Sequence, residues 1–346
     1  MTQQTSPRAR PICVVVDTNT WRSSFMLRSG LGTALLHIMV RTGGRLGLPY
    51  VVESEIPKHL RYAATEAVDA IRRSFRTLQI VIGSHRPYEV PGDNAITSAI
   101  QARIAELEPL LLRVPLTLEQ TERALVRVNE ERPPNATGKQ QFKDSLIWEA
   151  VLELAQQYDV HLITNDSGFF DDKARSVPAA ALTDELGRAG LSVCIHKDLE
   201  QCLAALQYST PPINREALAQ LFVKTMTPEL DKEMGRQNVE LREFRSFEVS
   251  PFLTENHDVL AFSCRMSFGA VAGSNDWHDV QITIEGEGRY SIRQNAVLDG
   301  RLDRVLYEWT DAAGARQQRK SAYAYIAPLF IGEQPDVPFS LRRPLP

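Results

Sequence analysis

Four carboxylates in this chain stand where side chains do chemistry. Asp17 follows the apolar run Ile12–Val16 and precedes Thr18-Asn19, and Glu55 lies in PYVVESEI. Asp144 falls within FKDSLIWEA, and Asp166 follows HLITN. Each is placed at a strand end or a helix start, and open α/β sheets bind ligands in the crevice beyond their strand C-termini. Carboxylates gathered in one cleft repel one another unless a cation neutralises them. Hard oxygen donors suit Mg²⁺ or Mn²⁺, and such ions can align water with a phosphodiester and stabilise the leaving oxygen. That chemistry requires no catalytic His or Cys, and neither stands out. Each acid also has a purely structural explanation. Asp17 and Asp166 suit caps or Asx turns, Asp144 suits a helix dipole, and Glu55 suits a solvated helix face.

The elements that must position these acids follow from patterning. PICVVVD reads as a buried strand, LGTALLHIMVRT as a helix and RLGLP as a second strand. Long helical stretches are expected over about residues 51–78, 96–112 and 118–128. ERPPNATGKQQ is a loop, stopped hard by Pro133-Pro134. Residues 142–158 form the clearest helix, with Leu146, Ile147, Ala150, Val151, Leu154 and Ala155 on one apolar face. VHLIT is a strand, 179–189 a helix, LSVCIH a strand and 198–207 a helix. Strands alternating with helices specify a parallel sheet in an α/β fold.

The character changes at STPPIN. Two polar helical segments follow, about residues 215–224 and 228–242, and then period-two runs such as FEVSPF, VLAFSCRMSF, DVQITIEG, RVLYEWT and SAYAYIAPLF, with turns such as Asp299-Gly300. We expect a disordered tail over residues 1–10, an α/β domain over 11–208, and a helical linker with a smaller β-rich domain over 209–346. In that last part Trp277, Tyr290, Tyr307, Trp309, Tyr323 and Tyr325 are interleaved with Arg289, Arg293 and Arg304. Core packing or a nucleic-acid platform would each use that pattern.

The net charge is −4, and neither part is basic: 23 Lys and Arg face 24 Asp and Glu through Tyr208. Nucleic acid would have to be held by a local patch or through ions on carboxylates. No apolar run approaches the roughly 18 residues of a membrane span. No membrane partner is therefore expected, and the polar start MTQQTSPRAR points to the cytoplasm. Cys13, Cys194, Cys202 and Cys264 form no CxxC pair, so neither zinc nor a disulfide framework is expected from spacing. Cys13 and Cys194 read as buried thiols, and His161, inside an apolar strand, as a core or surface histidine rather than a ligand.

Taken together, VVVDTN, PYVVESE, FKDSLIWEAV and LITNDSGFF resemble, in order and spacing, the motifs of the PIN domain over roughly residues 11–205. The resemblance implies a three-layer α/β sandwich with a short parallel sheet. It implies a Mg²⁺- or Mn²⁺-dependent endoribonuclease whose metal-binding acids are Asp17, Glu55, Asp144 and Asp166. Glu55 matches the pattern rather than Glu53, and residues two apart are turned by about 200° on a helix, so only one faces the cleft. Thr18 and Asn19 could support Asp17, and Thr164 and Asn165 could support Asp166. Lys139 and Lys143 stand close enough in sequence to Asp144 to grip a phosphate. The implied substrate is RNA, in a toxin-like or phage-defence setting with an inhibitor or antitoxin protein as partner. Two alternatives stay open: a nuclease for DNA or structured nucleic acid, and a catalytically weak binding or regulatory module.

Overall fold

The computed structural model describes residues 10–83, 89–136, 141–206, 210–273 and 276–327. Most of the tail expected over residues 1–10, the boundary at 208/209 and Lys139 lie outside them. Spatially the chain sorts into two compact units. Of the described residues, one unit comprises those to Met26 with those of Ile38–Cys202, and the other Leu27–His37 with those from Leu203.

The first unit is built on five parallel strands in the order β3-β2-β1-β4-β5. These are β1 (Ile12–Val16), β2 (Arg45–Pro49), β3 (Leu111–Val114), β4 (Asp159–Ile163) and β5 (Val193–His196). In β1, Cys13 to Val16 are all buried, the unbroken apolar run of a strand covered on both faces. Gly47 in β2 is required by close packing. A Cβ there would lie 2.7 Å from Val15 and 2.8 Å from Leu154. The connections are helical: α1 (Thr18–Ser23), α2 (Gly30–Thr42, sorted with the second unit as far as His37), α3 (Tyr50–Ile82), α4 (Asp93–Leu107), α5 (Leu118–Asn129), α6 (Phe142–Leu154), α7 (Ala180–Ala189) and α8 (Leu199–Ala205, sorted with the first unit as far as Cys202). This is the expected α/β sandwich with its short parallel sheet.

Three local differences have physical causes. The helix expected to Leu112 stops at Leu107, and Leu111–Val114 instead pairs in parallel with β2 from Leu46↔Leu111 onward. Pro109, which has no N–H to continue a helix, lies between the two elements. The helix α6 has no single apolar face. Ser145 and Glu149 are buried as well as its aliphatic residues, because Arg127, itself buried, pairs with Glu149 (3.0 Å) and Glu185 (2.6 Å). Trp148 is fully buried and donates its indole N–H to Glu185 (2.9 Å). Cys194, expected inside, is exposed, because β5 is an edge strand with only His196 buried.

The second unit holds an antiparallel sheet, β10-β9-β8-β7-β6. Its strands are β6 (Val239–Leu253), β7 (Val259–Ala272), β8 (His278–Ser291), β9 (Ala296–Thr310) and β10 (Arg316–Ala327). One helix, α9 (Arg215–Gln237), replaces the two expected segments and runs through Pro228. Phe222, Met226, Leu230 and Met234, spaced four apart, are buried together with strand residues such as Phe262, Ile282 and Val305. Gly286 and Gly300 leave room for the Phe222 ring, since a Cβ on either would come within 3 Å of it. Gly300 therefore belongs to β9 and not to the expected turn: Asp299 pairs with Arg289 and Gly300 with Gly288. Trp277 and Trp309 stack at 4.0 Å against the same core, and Tyr307 is fully buried with its hydroxyl donated to Glu233 (2.9 Å). These three aromatics serve packing, not a nucleic-acid platform.

Candidate functional site

The acids of the first unit are positioned by strand register. β1 and β4 pair from Ile12↔Asp159 to Val16↔Ile163. The residues immediately beyond, Asp17 and Thr164, therefore emerge side by side although 147 positions apart. The Asp17 N–H donates to the Ile163 carbonyl (3.0 Å), and Thr164 Oγ1 donates to Asp17 Oδ2 (3.0 Å). Asp17 also caps α1, with Oδ1 accepting from the Thr20 N–H (2.7 Å). The Asn165 N–H reaches Oδ2 at 3.4 Å. The carboxylate is buried and held in one orientation.

Asp166 caps the 3-10 turn Ser167–Phe169, its Oδ1 accepting from the Gly168 N–H (2.7 Å). The same oxygen accepts from the Gln141 side chain (2.8 Å). Gln141 is in turn fixed by its N–H to Asn135 Oδ1 (2.7 Å). Sequence reading missed Gln141, since a glutamine in a polar loop carries no signature. Thr164 Oγ1 accepts from the Asp166 N–H (3.1 Å), so one hydroxyl bridges both acids. Asn165 is exposed and accepts from Arg175 (2.6 Å). Asn19 is exposed on α1. Asp171 and Asp172 spend their oxygens on N–H groups of their own loop and of the α7 start.

Glu55, in the second turn of α3, accepts from Thr18 Oγ1 (2.9 Å) and from Lys143 Nζ. Burial acts to raise its carboxyl, but the hydrogen bonds from Lys143 and Thr18 and the Lys143 charge outweigh burial and hold it below the usual range. Glu53 points elsewhere, to Arg113 (2.7 Å). Asp144, in the first turn of α6, is half-buried. Its carboxyl is pushed from 3.8 up to about 7, by burial first and then by the negative charges of Asp166, Asp17 and Glu55, with Lys143 opposing. The structure therefore brings Asp17, Glu55 and Asp166 close enough to Asp144 for their charges to act on it, with Lys143 opposing them.

The four do not close into a tight cage. Among the described residues, the one group of three His, Cys, Asp or Glu donor atoms mutually within 4.8 Å is His161, His196 and Cys202. An open, oxygen-only set carrying surplus negative charge matches an ion that keeps several of its waters, as Mg²⁺ does.

A parallel sheet covered by helices, with acids converging beyond its strand ends, defines an α/β protein with a candidate metal-dependent cleft. A family model of the PIN domain matches residues 14–169, and the chain carries a PIN domain there. This is a fold of nucleases that generally use divalent metals. No curated protein and no solved structure matches the chain. Among the described residues no helix is long and apolar enough to cross a membrane.

Proposed function

We propose that this chain is a Mg²⁺- or Mn²⁺-dependent endoribonuclease whose site is Asp17, Glu55, Asp144 and Asp166. The observation that carries the reading is the convergence of the acids: the Thr164 hydroxyl bridges Asp17 and Asp166, Thr18, next to Asp17, bonds Glu55, and Asp144 feels the charge of all three. Burial first, and then the negative charges of Asp166, Asp17 and Glu55, push the Asp144 carboxyl up to about 7, as expected where acids are gathered without a bound cation. The donor set is all hard oxygen and suits such an ion. When bound, the ion would supply charge neutralisation and an activated water for in-line attack on the phosphodiester.

The remaining tasks fall to the chain. Asp17 is locked by Thr20, Thr164 and Asn165, and Asp166 by Gly168 and Gln141, so both carboxylates are held in fixed orientations. Thr18 orients Glu55. Lys143 balances Glu55 and is placed to move to a substrate phosphate once the acids are otherwise neutralised. Asp144, raised by burial and its acidic neighbours, would be the residue to release a proton when a cation is bound.

The family resemblance directs the choice to RNA, and to a toxin-like or phage-defence role restrained by an inhibitor protein. The test incubates the full chain with labelled RNA and matched DNA in Mn²⁺, Mg²⁺ or EDTA. RNA cleavage that needs the ion and is abolished by Asp17→Asn and by Asp144→Asn supports the reading. Cleavage undiminished in EDTA, or both variants cutting at the parental rate, overturns it. Cutting of DNA alone replaces RNA as the substrate.

A further inference from the structure

The sheet carries a second cluster of ligating side chains, which the acidic cleft does not use. β4 and β5 pair in parallel with His161 opposite Cys194, and His196 lies two residues further along β5. Side chains alternate along a strand, so His161, Cys194 and His196 share one face. α8 brings Cys202 to that face. Donor atoms of His161, His196 and Cys202 all lie within 4.8 Å of one another, and all three residues are buried. His161 Nδ1 and His196 Nε2 are 2.9 Å apart, with the rings stacked at 5.1 Å and 8°.

We propose that His161, His196 and Cys202, joined by Cys194 from the solvent side, form a Cys₂His₂ site for a borderline-soft divalent ion of the Zn²⁺ class. The donor types are those Zn²⁺ selects, and the hard ions suited to the acidic cleft disfavour them. Zn–N bonds of about 2.0–2.1 Å in a tetrahedron set two nitrogens about 3.3 Å apart, so the imidazole pair need open only by about 0.4 Å.

Burial lowers both imidazoles, His196 to about 4 with the proximity of His161 adding to the effect, which favours the neutral form that ligates. The Cys202 thiol is pushed up by burial, and Cys194 stands on the same sheet face, opposite His161. Binding releases the proton of each thiol to solvent as it becomes a thiolate. With all four positions filled by protein the site is closed and structural. It pins the edge strand β5 and α8 to β4, immediately before the chain leaves the first unit.

The test uses the full chain, kept reduced, stripped with EDTA and titrated with Co²⁺. The expected result is one tetrahedral Co²⁺ per chain with a thiolate-to-cobalt charge-transfer band, displaced by one equivalent of Zn²⁺. The band should persist in Asp144→Asn, vanish in Cys202→Ala and fall to about half its intensity in Cys194→Ser, which leaves one thiolate of two. Because Cys194 is exposed, its serine variant should fold even if Cys202→Ala does not. A parent protein that takes up Co²⁺ with no charge-transfer band overturns the site. A band unchanged in Cys194→Ser overturns the four-ligand assignment.

Discussion

Replacing Asp144 by Asn tests the charge surplus directly, without reference to cleavage. The folded carboxyl binds its proton up to about pH 7, whereas the unfolded one releases it near 3.8. Between those values the folded state holds more protons, so stability falls as pH rises through the interval. The shift of about three pH units, at about 1.36 kcal/mol each, sets a ceiling of about 4 kcal/mol. Solvent and Lys143 relax around the charge, so we expect about half of it, about 2 kcal/mol. The amide keeps the shape and cannot ionise. In EDTA, Asp144→Asn should therefore melt with the parent at about pH 4 and about 4–8 °C above it at about pH 8, at about 2–4 °C per kcal/mol for a unit of this size. Adding Mn²⁺ at the higher pH should close the gap by raising the parent alone. Thermal melts of both proteins over that range decide the matter. An equal difference at both ends of the range, or an asparagine variant less stable at high pH, would refute the argument.

Three further outcomes follow from the geometry. Glu55→Gln should lower RNA cleavage by about tenfold or more while Glu53→Gln stays within about threefold, because only Glu55 faces Thr18 and Lys143; the reverse ranking in a cleavage assay would show the wrong face of α3 had been chosen. Gly168→Ala would place a Cβ 2.0 Å from the Pro134 carbonyl, and a loss of about 1–3 kcal/mol should appear in thermal melts. Tyr307→Phe removes the hydroxyl from buried Glu233 and should cost about 1–3 kcal/mol in urea unfolding; an unmoved midpoint would mean that Glu233 finds another donor.

The parallel sheet was legible because its strands are short unbroken apolar runs separated by helical patterns, and nothing else in that part of the chain looks the same. β3 was not, since Leu111, Leu112 and Val114 continue the apolar residues of the preceding helix and a single period cannot divide them. In the antiparallel sheet the five runs were visible, but β6 is exposed from Glu240 to Glu248 apart from the half-buried Leu241, so its first half shows no alternation to read. Gly300 misled for a related reason. A glycine beside an aspartate signals a turn, whereas here it is small because Phe222 lies on it.

Of the acidic site, the sequence offered each residue at a strand or helix boundary, and the structure supplies what joins them: one register, Val16↔Ile163, that sets Asp17 against Thr164. The His–Cys cluster escaped for the same physical reason. Zinc motifs are sought as cysteines a few residues apart, a spacing that tight turns produce. Ligands brought together by a parallel pair cannot have it, because parallel strands need a crossover of a dozen residues or more between them. His161 and His196 stand on neighbouring strands separated by α7, so a 2.9 Å contact is written as a gap of 35 residues. β4 thus serves both clusters, His161 within the strand and Thr164 to Asp166 beyond its end. Which cluster an ion enters is then decided by the hardness of its donors rather than by their place in the chain.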